Sequence, residues 1–205
     1  MPLSKLVLSR LAAASMALGA SAAAATLEVP ADVLAEWVED DLRRSPPLTP
    51  LRAVDSADRA ATRTRTTVGA LWSSAKERVE ALVQRMARDD SLAVRIGAAA
   101  GLGRMIELSS PVERVELVCR WTLADDARER VALARALALP TPVFVADLVV
   151  SELARDADHD VRAAAARALR THFRADPERF ARLASELMSD AHPAVRSAAQ
   201  EPALT

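Results

Sequence analysis

The sequence predicts an all-α fold, an α-solenoid of about five stacked helical hairpins. The first observation is a recurring phrase of an aspartate, Val-Arg and a run of small residues, with copies at 87–103, 124–138, 154–170 and 189–199. The second is composition: 51% of the residues are hydrophobic but only 3% are aromatic, so alanine, leucine and valine must fill the core. The third is the period, because repeats of about 30–40 residues are typical of helix pairs that stack to bury a continuous apolar face.

The copies share one internal spacing. In each copy an aspartate stands five residues before a valine, in the pairs Asp89/Val94, Asp126/Val131, Asp156/Val161 and Asp190/Val195. The valine-to-valine steps are 37, 30 and 34 residues. The second copy departs from the pattern, since Ala132 follows its valine where the other copies have arginine. We expect the aspartates to accept hydrogen bonds from unpaired N–H groups at the start of each following helix.

Residues 1–25 differ from the rest of the chain. Lys5 and Arg10 precede an alanine-rich run with Ala-x-Ala sites, and no acidic residue comes before Glu28. This layout is typical of a cleaved secretory signal and favours an exported or periplasmic protein. The alternative is that the segment forms the first helix of the stack, in which case a cytoplasmic location is expected. The run is too weakly hydrophobic for stable insertion into a membrane.

The remaining chain is predicted to contain an N-terminal helical region at 26–75, a degenerate repeat or cap, followed by four regular units at 76–205. Pro111, Pro142 and Pro177 mark the starts of three first helices, because a missing N–H costs least at a helix start. The predicted first helices are 76–88, 111–124, 142–155 and 177–189, and the predicted second helices are 91–107, 127–139, 159–173 and 193–200.

The recurring phrase resembles the HEAT-like repeat family, including the short variety first described in phycobilin lyases. The resemblance implies a right-handed superhelix with the first helices on its convex side and the second helices on its concave side. It also implies a structural ladder, in which the arginine after the valine bonds turn carbonyls or aspartates from unit to unit. The ladder residues would be Asp89, Arg95, Asp156, Arg162, Asp190 and Arg196. Charge-assisted hydrogen bonds of this kind would fix how neighbouring units stack.

Few residues suit catalysis or metal binding. Cys119 is the only cysteine, so an internal disulfide and a thiolate cluster are excluded, and its apolar neighbours predict a buried thiol. The three histidines lack a metal-ligand or triad spacing. Aspartates alternate over 156–160 as in a calcium loop, but Val161 and Arg167 stand where that loop needs glycine and glutamate. We therefore expect a protein that is not an enzyme and uses neither metal nor cofactor.

Charge separates the two sets of predicted helices. With their flanking residues the first helices carry a net charge of −6 and the second helices +4, although the whole chain carries only −1. On a helical wheel the second helix at 159–173 has an apolar face formed by Val161, Ala165, Ala168 and Leu169. Its arginines fall on the opposite face. We interpret Arg104, Arg167 and Arg170 as partner-binding residues that present guanidinium groups to an acidic protein.

The leading interpretation is a non-catalytic protein-binding or scaffold module that holds an acidic partner on the concave face of a HEAT-like solenoid. Two alternatives stay open. One is an accessory subunit or lyase-like enzyme of the phycobilin-lyase type, and the other is nucleic-acid binding through the basic groove. Nucleic acid is the less favoured partner, because the groove helices lack aromatic residues for base stacking.

Overall fold

The computed structural model describes residues 50–138, 146–172 and 177–201, and this part of the chain is all-helical. Its helices are α1 Pro50–Leu71, α2 Lys76–Ala87, α3 Leu92–Leu108, α4 Pro111–Thr122, α5 Ala127–Leu137, α6 Ala146–Leu153, α7 His159–His172, α8 Pro177–Met188 and α9 Pro193–Gln200. The all-α prediction is confirmed for the described residues, and α2 to α9 follow the predicted helix pairs to within a few residues. The predicted signal segment and residues 26–49 lie outside the described residues.

The helices take two roles in packing. We call α2, α4, α6 and α8 the first helices and α3, α5, α7 and α9 the second helices. Each second helix contacts the next one along the chain, and α1 packs against α3 on the other side. Each first helix packs on the second helix that follows it, and α4 also contacts α6. The second helices therefore form a row with the first helices against it. Across the described ranges, every helix is either too short or too polar to cross a bilayer.

Two buried glycines let α1 approach α3 closely. Gly97 and Gly101 lie one turn apart on α3. A Cβ atom at Gly101 would lie 3.0 Å from Thr64 Cγ2 and 3.3 Å from Val68 Cγ2, both on α1. These distances are shorter than the optimal separation of carbon atoms. A larger side chain at this position would therefore push α1 away from the row.

Small aliphatic side chains fill the core, as the composition predicts. The apolar face predicted for α7 is buried, namely Val161, Ala165, Ala168 and Leu169. Arg167 is exposed, as its place on the wheel predicts. Buried on the same helix are also Ala163, Ala164 and Ala166. Alanine suits these positions because α5, α6, α8 and α9 all contact α7 and leave little room on any side.

The start of α4 shows how local signals place the first helices. The Ser110 hydroxyl accepts the N–H of Glu113, and the Glu113 carboxylate accepts the N–H of Ser110, which is a capping box. Lys76 Nζ, at the start of α2, lies 2.6 Å from the same carboxylate. These hydrogen bonds, that of Lys76 foremost, lower the pKa of Glu113 to about 2. Pro111 is the first residue of α4, as predicted.

Cys119 is exposed, so the prediction of a buried thiol is wrong. On α4 the inward face consists of Leu117, Val118 and Trp121. Cys119 and Arg120 lie between these positions and face outward. The apolar neighbours along the sequence gave a false signal, because a helix that packs on one side buries only one face.

Candidate interaction groove and arginine ladder

Four arginines at equivalent positions close the turns before the second helices, and we call them the ladder arginines. Each donates from Nη1 to the backbone carbonyl oxygens six and five residues before it, at 2.7–3.0 Å. The acceptors are Asp89 and Asp90 for Arg95, Ala124 and Asp125 for Arg130, Asp156 and Ala157 for Arg162, and Asp190 and Ala191 for Arg196. These bonds supply donors to turn carbonyls that the helices leave unpaired.

Two ladder arginines also reach the aspartate of the next turn. Nε and Nη2 of Arg130 donate to Asp156 at 2.7 and 3.0 Å. The same two atoms of Arg162 donate to Asp190 at the same distances. All four side chains are more than four-fifths buried. Fork-to-fork pairs of this kind are among the stronger hydrogen-bonded contacts in proteins, and here they tie each turn to the one that follows.

The same contacts keep both aspartates ionised. The hydrogen bond from Arg162 is the main reason that the pKa of Asp190 falls to about 2, with a further contribution from the His192 N–H. Burial alone would raise the pKa of Asp156, but hydrogen bonds from Arg130 and from the Asp158 N–H hold it below its usual value. Protonating either carboxylate would therefore weaken the link between two turns.

The second copy has a different register from the one predicted. Arg130 occupies the ladder position, so Glu129 stands where the other copies place a buried valine. Pairing Asp126 with Val131 was wrong, because Asp126 instead caps α5 by accepting the Arg128 N–H at 2.8 Å. The sequence misleads here because Asp126 also satisfies the five-residue spacing.

Two unusual residues follow from this register. Glu129 is buried, with its side chain 3% exposed, and the guanidinium of Arg88 at the end of α2 pairs with its carboxylate. Ala124 takes the place that Asp156 and Asp190 hold in the later turns. Arg95 therefore meets no carboxylate at this place. Its Nε and Nη2 donate no hydrogen bond to the described residues.

We expect Ala124→Asp to raise the free energy of unfolding by about 0.5–2 kcal/mol. The new carboxylate would face the fork of Arg95 as Asp156 faces that of Arg130. Urea denaturation at neutral pH measures the change. Ala124→Asn is the matched control, since it offers a turn acceptor without the charge. An Asp variant no more stable than the Asn variant would contradict the assigned register.

An open cavity of about 470 Å³ lies across the row of second helices, and we call it the arginine cavity. Its lining consists of Arg95 from α3, Arg128, Val131 and Arg135 from α5, Asp160, Ala163, Ala164 and Arg167 from α7, and Ala194 from α9. Four arginines against one aspartate give the lining a net charge of +3. The cavity is therefore an electropositive site on a chain whose net charge is −1.

Arg135 differs from the other three cavity arginines in its hydrogen bonding. Its Nη1 is buried and has no hydrogen-bond partner within the described part of the chain. Burial, followed by repulsion from Arg95 and Arg167, lowers the pKa of its guanidinium. Asp160 is the acidic residue that opposes this effect. A buried donor without an acceptor costs free energy in the folded state.

The predicted partner-binding arginines do not form one cluster. Arg167 lines the arginine cavity, and its Nε and Nη2 donate to the carboxylate of Glu201 at 2.6–3.1 Å. Arg104 is half-buried beside α1 and donates to Glu107 at 3.0 Å, away from the cavity lining. The side chain of Arg170 lies outside the described residues.

Glu107 explains why Arg104 turns toward α1. Arg65 Nη2 on α1 donates to both oxygens of the Glu107 carboxylate at 2.7 Å. Burial would raise the pKa of Glu107, but the hydrogen bonds from Arg65 and Arg104 lower it. The Arg104 guanidinium packs over Gly69, whose missing side chain leaves it room. Arg104 therefore serves an internal network between α1 and α3.

Sequence reasoning overlooked Arg128 and Arg135 as a pair. They stand seven residues apart, two turns along one face of α5, and Asp160 and Arg167 have the same spacing on α7. This spacing is visible in the sequence. Which face stays open is not visible, because it depends on how the neighbouring helices pack.

No group of three metal-ligating side chains comes together in the described ranges. The aspartates that alternate like a calcium loop instead serve the turn before α7. Asp156 accepts the Asp158 N–H, and Asp158 accepts the N–H groups of Asp160 and Val161. His159 and His192, from successive turns, stack with their ring centroids 3.8 Å apart.

Comparison with family models, with curated proteins and with solved structures gave no match. Function is therefore inferred from the geometry of the arginine cavity and of the ladder.

Proposed function

We propose that this protein is a non-catalytic binding module that holds an acidic segment of a partner protein across its second helices. The observation that carries the proposal is the arginine cavity, where four arginines from three successive second helices converge. A row of second helices offers an extended surface, and extended surfaces are how helical-repeat proteins bind their partners. Carboxylates of the partner would supply acceptors to guanidinium groups that the described residues leave incompletely bonded.

The proposal includes the architecture. The row of second helices would be the concave face of a right-handed, HEAT-like α-solenoid, and the first helices would form the convex face. The pattern of contacts between helices and the repeated arginine ladder support this architecture. Export after cleavage of residues 1–25 stays a prediction, and it would place the partner outside the cytoplasm.

The cavity lining favours a protein partner over nucleic acid. None of its nine residues is aromatic, whereas proteins that bind single strands rely on aromatic side chains for base stacking. The lyase-like alternative gains no specific support from these contacts.

We expect the double reversal Arg128→Glu/Arg167→Glu to weaken binding of a labelled poly-glutamate peptide at least about 100-fold, since two charge-assisted contacts are replaced by repulsion. Fluorescence anisotropy at fixed ionic strength measures the affinity. Both side chains are half-exposed, so helical content by circular dichroism should stay unchanged.

The matched control is Arg120→Glu/Arg155→Glu. These arginines are equally exposed and each also has one acidic partner, Glu80 and Glu186, but they lie outside the cavity. Equal loss of binding in both double variants would mean that the peptide responds only to net charge. Tighter binding of single-stranded DNA than of poly-glutamate by the wild-type chain would favour the nucleic-acid alternative.

A further inference from the structure

The arginine cavity contains a buried hydrogen-bond donor, Nη1 of Arg135, that has no acceptor among the described residues. A buried guanidinium normally pairs with an acid or with backbone carbonyls. The charged groups that act on Arg135 are Arg95 and Arg167, which repel it, and Asp160, which attracts it. A bound anion would offset the repulsion between these arginines and would accept a hydrogen bond from Arg135.

The cavity also adjoins the turn that lacks a ladder aspartate. Arg130 and Arg162 use Nε and Nη2 to hold the aspartate of the next turn. Arg95 has Ala124 at that place, so its Nε and Nη2 have no acceptor in the described part of the chain. Arg95 is thus the ladder arginine that lines the cavity, and alanine stands where the next turn would place its carboxylate acceptor.

The other two arginines are already partly neutralised at the cavity rim. Arg128 donates to the Arg88 carbonyl and lies 3.3 Å from Asp90. Arg167 is bound by Glu201. The excess positive charge therefore centres on Arg95 and Arg135, and Asp160 of the lining offsets part of it. The volume of about 470 Å³ lies within the usual range for small-molecule binding sites.

We infer that the arginine cavity is a binding site for one compact oxyanion group, bound by Arg135 and Arg95. A phosphate or two adjacent carboxylates have this chemistry, because each offers several oxygens to guanidinium forks. The inference deepens the proposed function, since the bound segment of the partner would carry this group.

The test is calorimetric titration of the full chain with inorganic phosphate at constant ionic strength. Two further ligands are a Glu-Glu peptide and a phosphoserine peptide, which distinguish the two sources of the oxyanion. We expect one phosphate per chain and at least about tenfold weaker binding by Arg135→Met, because one guanidinium fork is lost. Arg120→Met, from the outer face of α4, should bind phosphate like the wild type.

Melting temperatures without phosphate separate binding from folding. Arg135→Met should melt at or above the wild-type temperature, because the substitution removes an uncompensated buried charge. Ala124→Asp is a second variant that leaves Arg135 in place. The new carboxylate would accept the hydrogen bonds of Arg95, so this variant should bind phosphate more weakly although its fold is more stable.

Three results would overturn the inference: no binding of any of the three ligands, wild-type affinity of Arg135→Met, or, if that variant does not fold, wild-type affinity of Ala124→Asp. The same measurements distinguish an error in the proposed oxyanion site from an error in the proposed function. If poly-glutamate binds but phosphate and both short peptides do not, the oxyanion site is wrong and the function stands. If phosphate binds through Arg135 and poly-glutamate does not bind, the oxyanion site is right and the proposed function is wrong.

Discussion

Arg88→Ala should lower the free energy of unfolding by about 3 kcal/mol, because it takes the half-exposed counter-charge away from the buried Glu129 carboxylate. Glu129 is buried at a position where valine stands in the other copies, and Arg88 is its ionic partner. The truncation leaves a carboxylate without a counter-charge inside the packing of α2 and α5. Urea denaturation at neutral pH measures the loss.

The double variant Arg88→Ala/Glu129→Val should restore stability to the wild-type level or above it. Apolar replacement of a buried ion pair is often neutral or stabilising by about 1–4 kcal/mol. Arg78→Ala on the exposed face of α2 is the matched control and should change stability by less than about 0.5 kcal/mol. If Arg88→Ala behaves like Arg78→Ala, Glu129 does not depend on this partner and the assigned register loses its support.

Arg162→Ala should lower the free energy of unfolding by about 2–3 kcal/mol, because it removes two carbonyl contacts and a paired aspartate contact. Arg196→Ala is the matched control. Arg196 makes the same two carbonyl contacts but donates to no following aspartate among the described residues. Its loss should cost about 1 kcal/mol. Equal costs for the two variants would show that the pair with Asp190 adds no stability.

The pH dependence of this difference follows from the pKa of Asp190. Its folded value of about 2 lies below the ordinary 3.8, so the stabilisation is complete above about pH 4 and is lost as the pH falls toward 2. Without Arg162 the pKa of Asp190 should return toward the ordinary value. The gap in stability between wild type and Arg162→Ala should therefore narrow over this window, and a constant gap would contradict the pairing.

The helices were predictable because their signals are local. Pro111 marks a helix start by its missing N–H, and the wheel of α7 follows from the order of its small residues. The place of Glu129 was not predictable in the same way. An acidic residue predicts exposure, and its partner Arg88 lies 41 residues away along the chain.

The candidate site was predictable only in part. The net positive charge of the second helices is a property of composition along the chain, since they carry fewer acidic residues than the first helices, and it indicates the basic surface. The burial of Arg135 depends instead on how α3, α5 and α7 pack, which no spacing within one helix specifies. Arg104 shows the converse, since its position on the wheel gives no sign that Arg65 and Glu107 draw it toward α1.

The links from Arg130 to Asp156 and from Arg162 to Asp190 use the same atoms at the same distances. The copy at 154–170 thus offers a donor to the copy after it and an acceptor to the copy before it. A gene duplication that inserts one whole copy here would find both connections already specified, whereas an insertion of half a copy would leave an arginine facing no acid. We expect descendants of this chain to differ in length by complete copies.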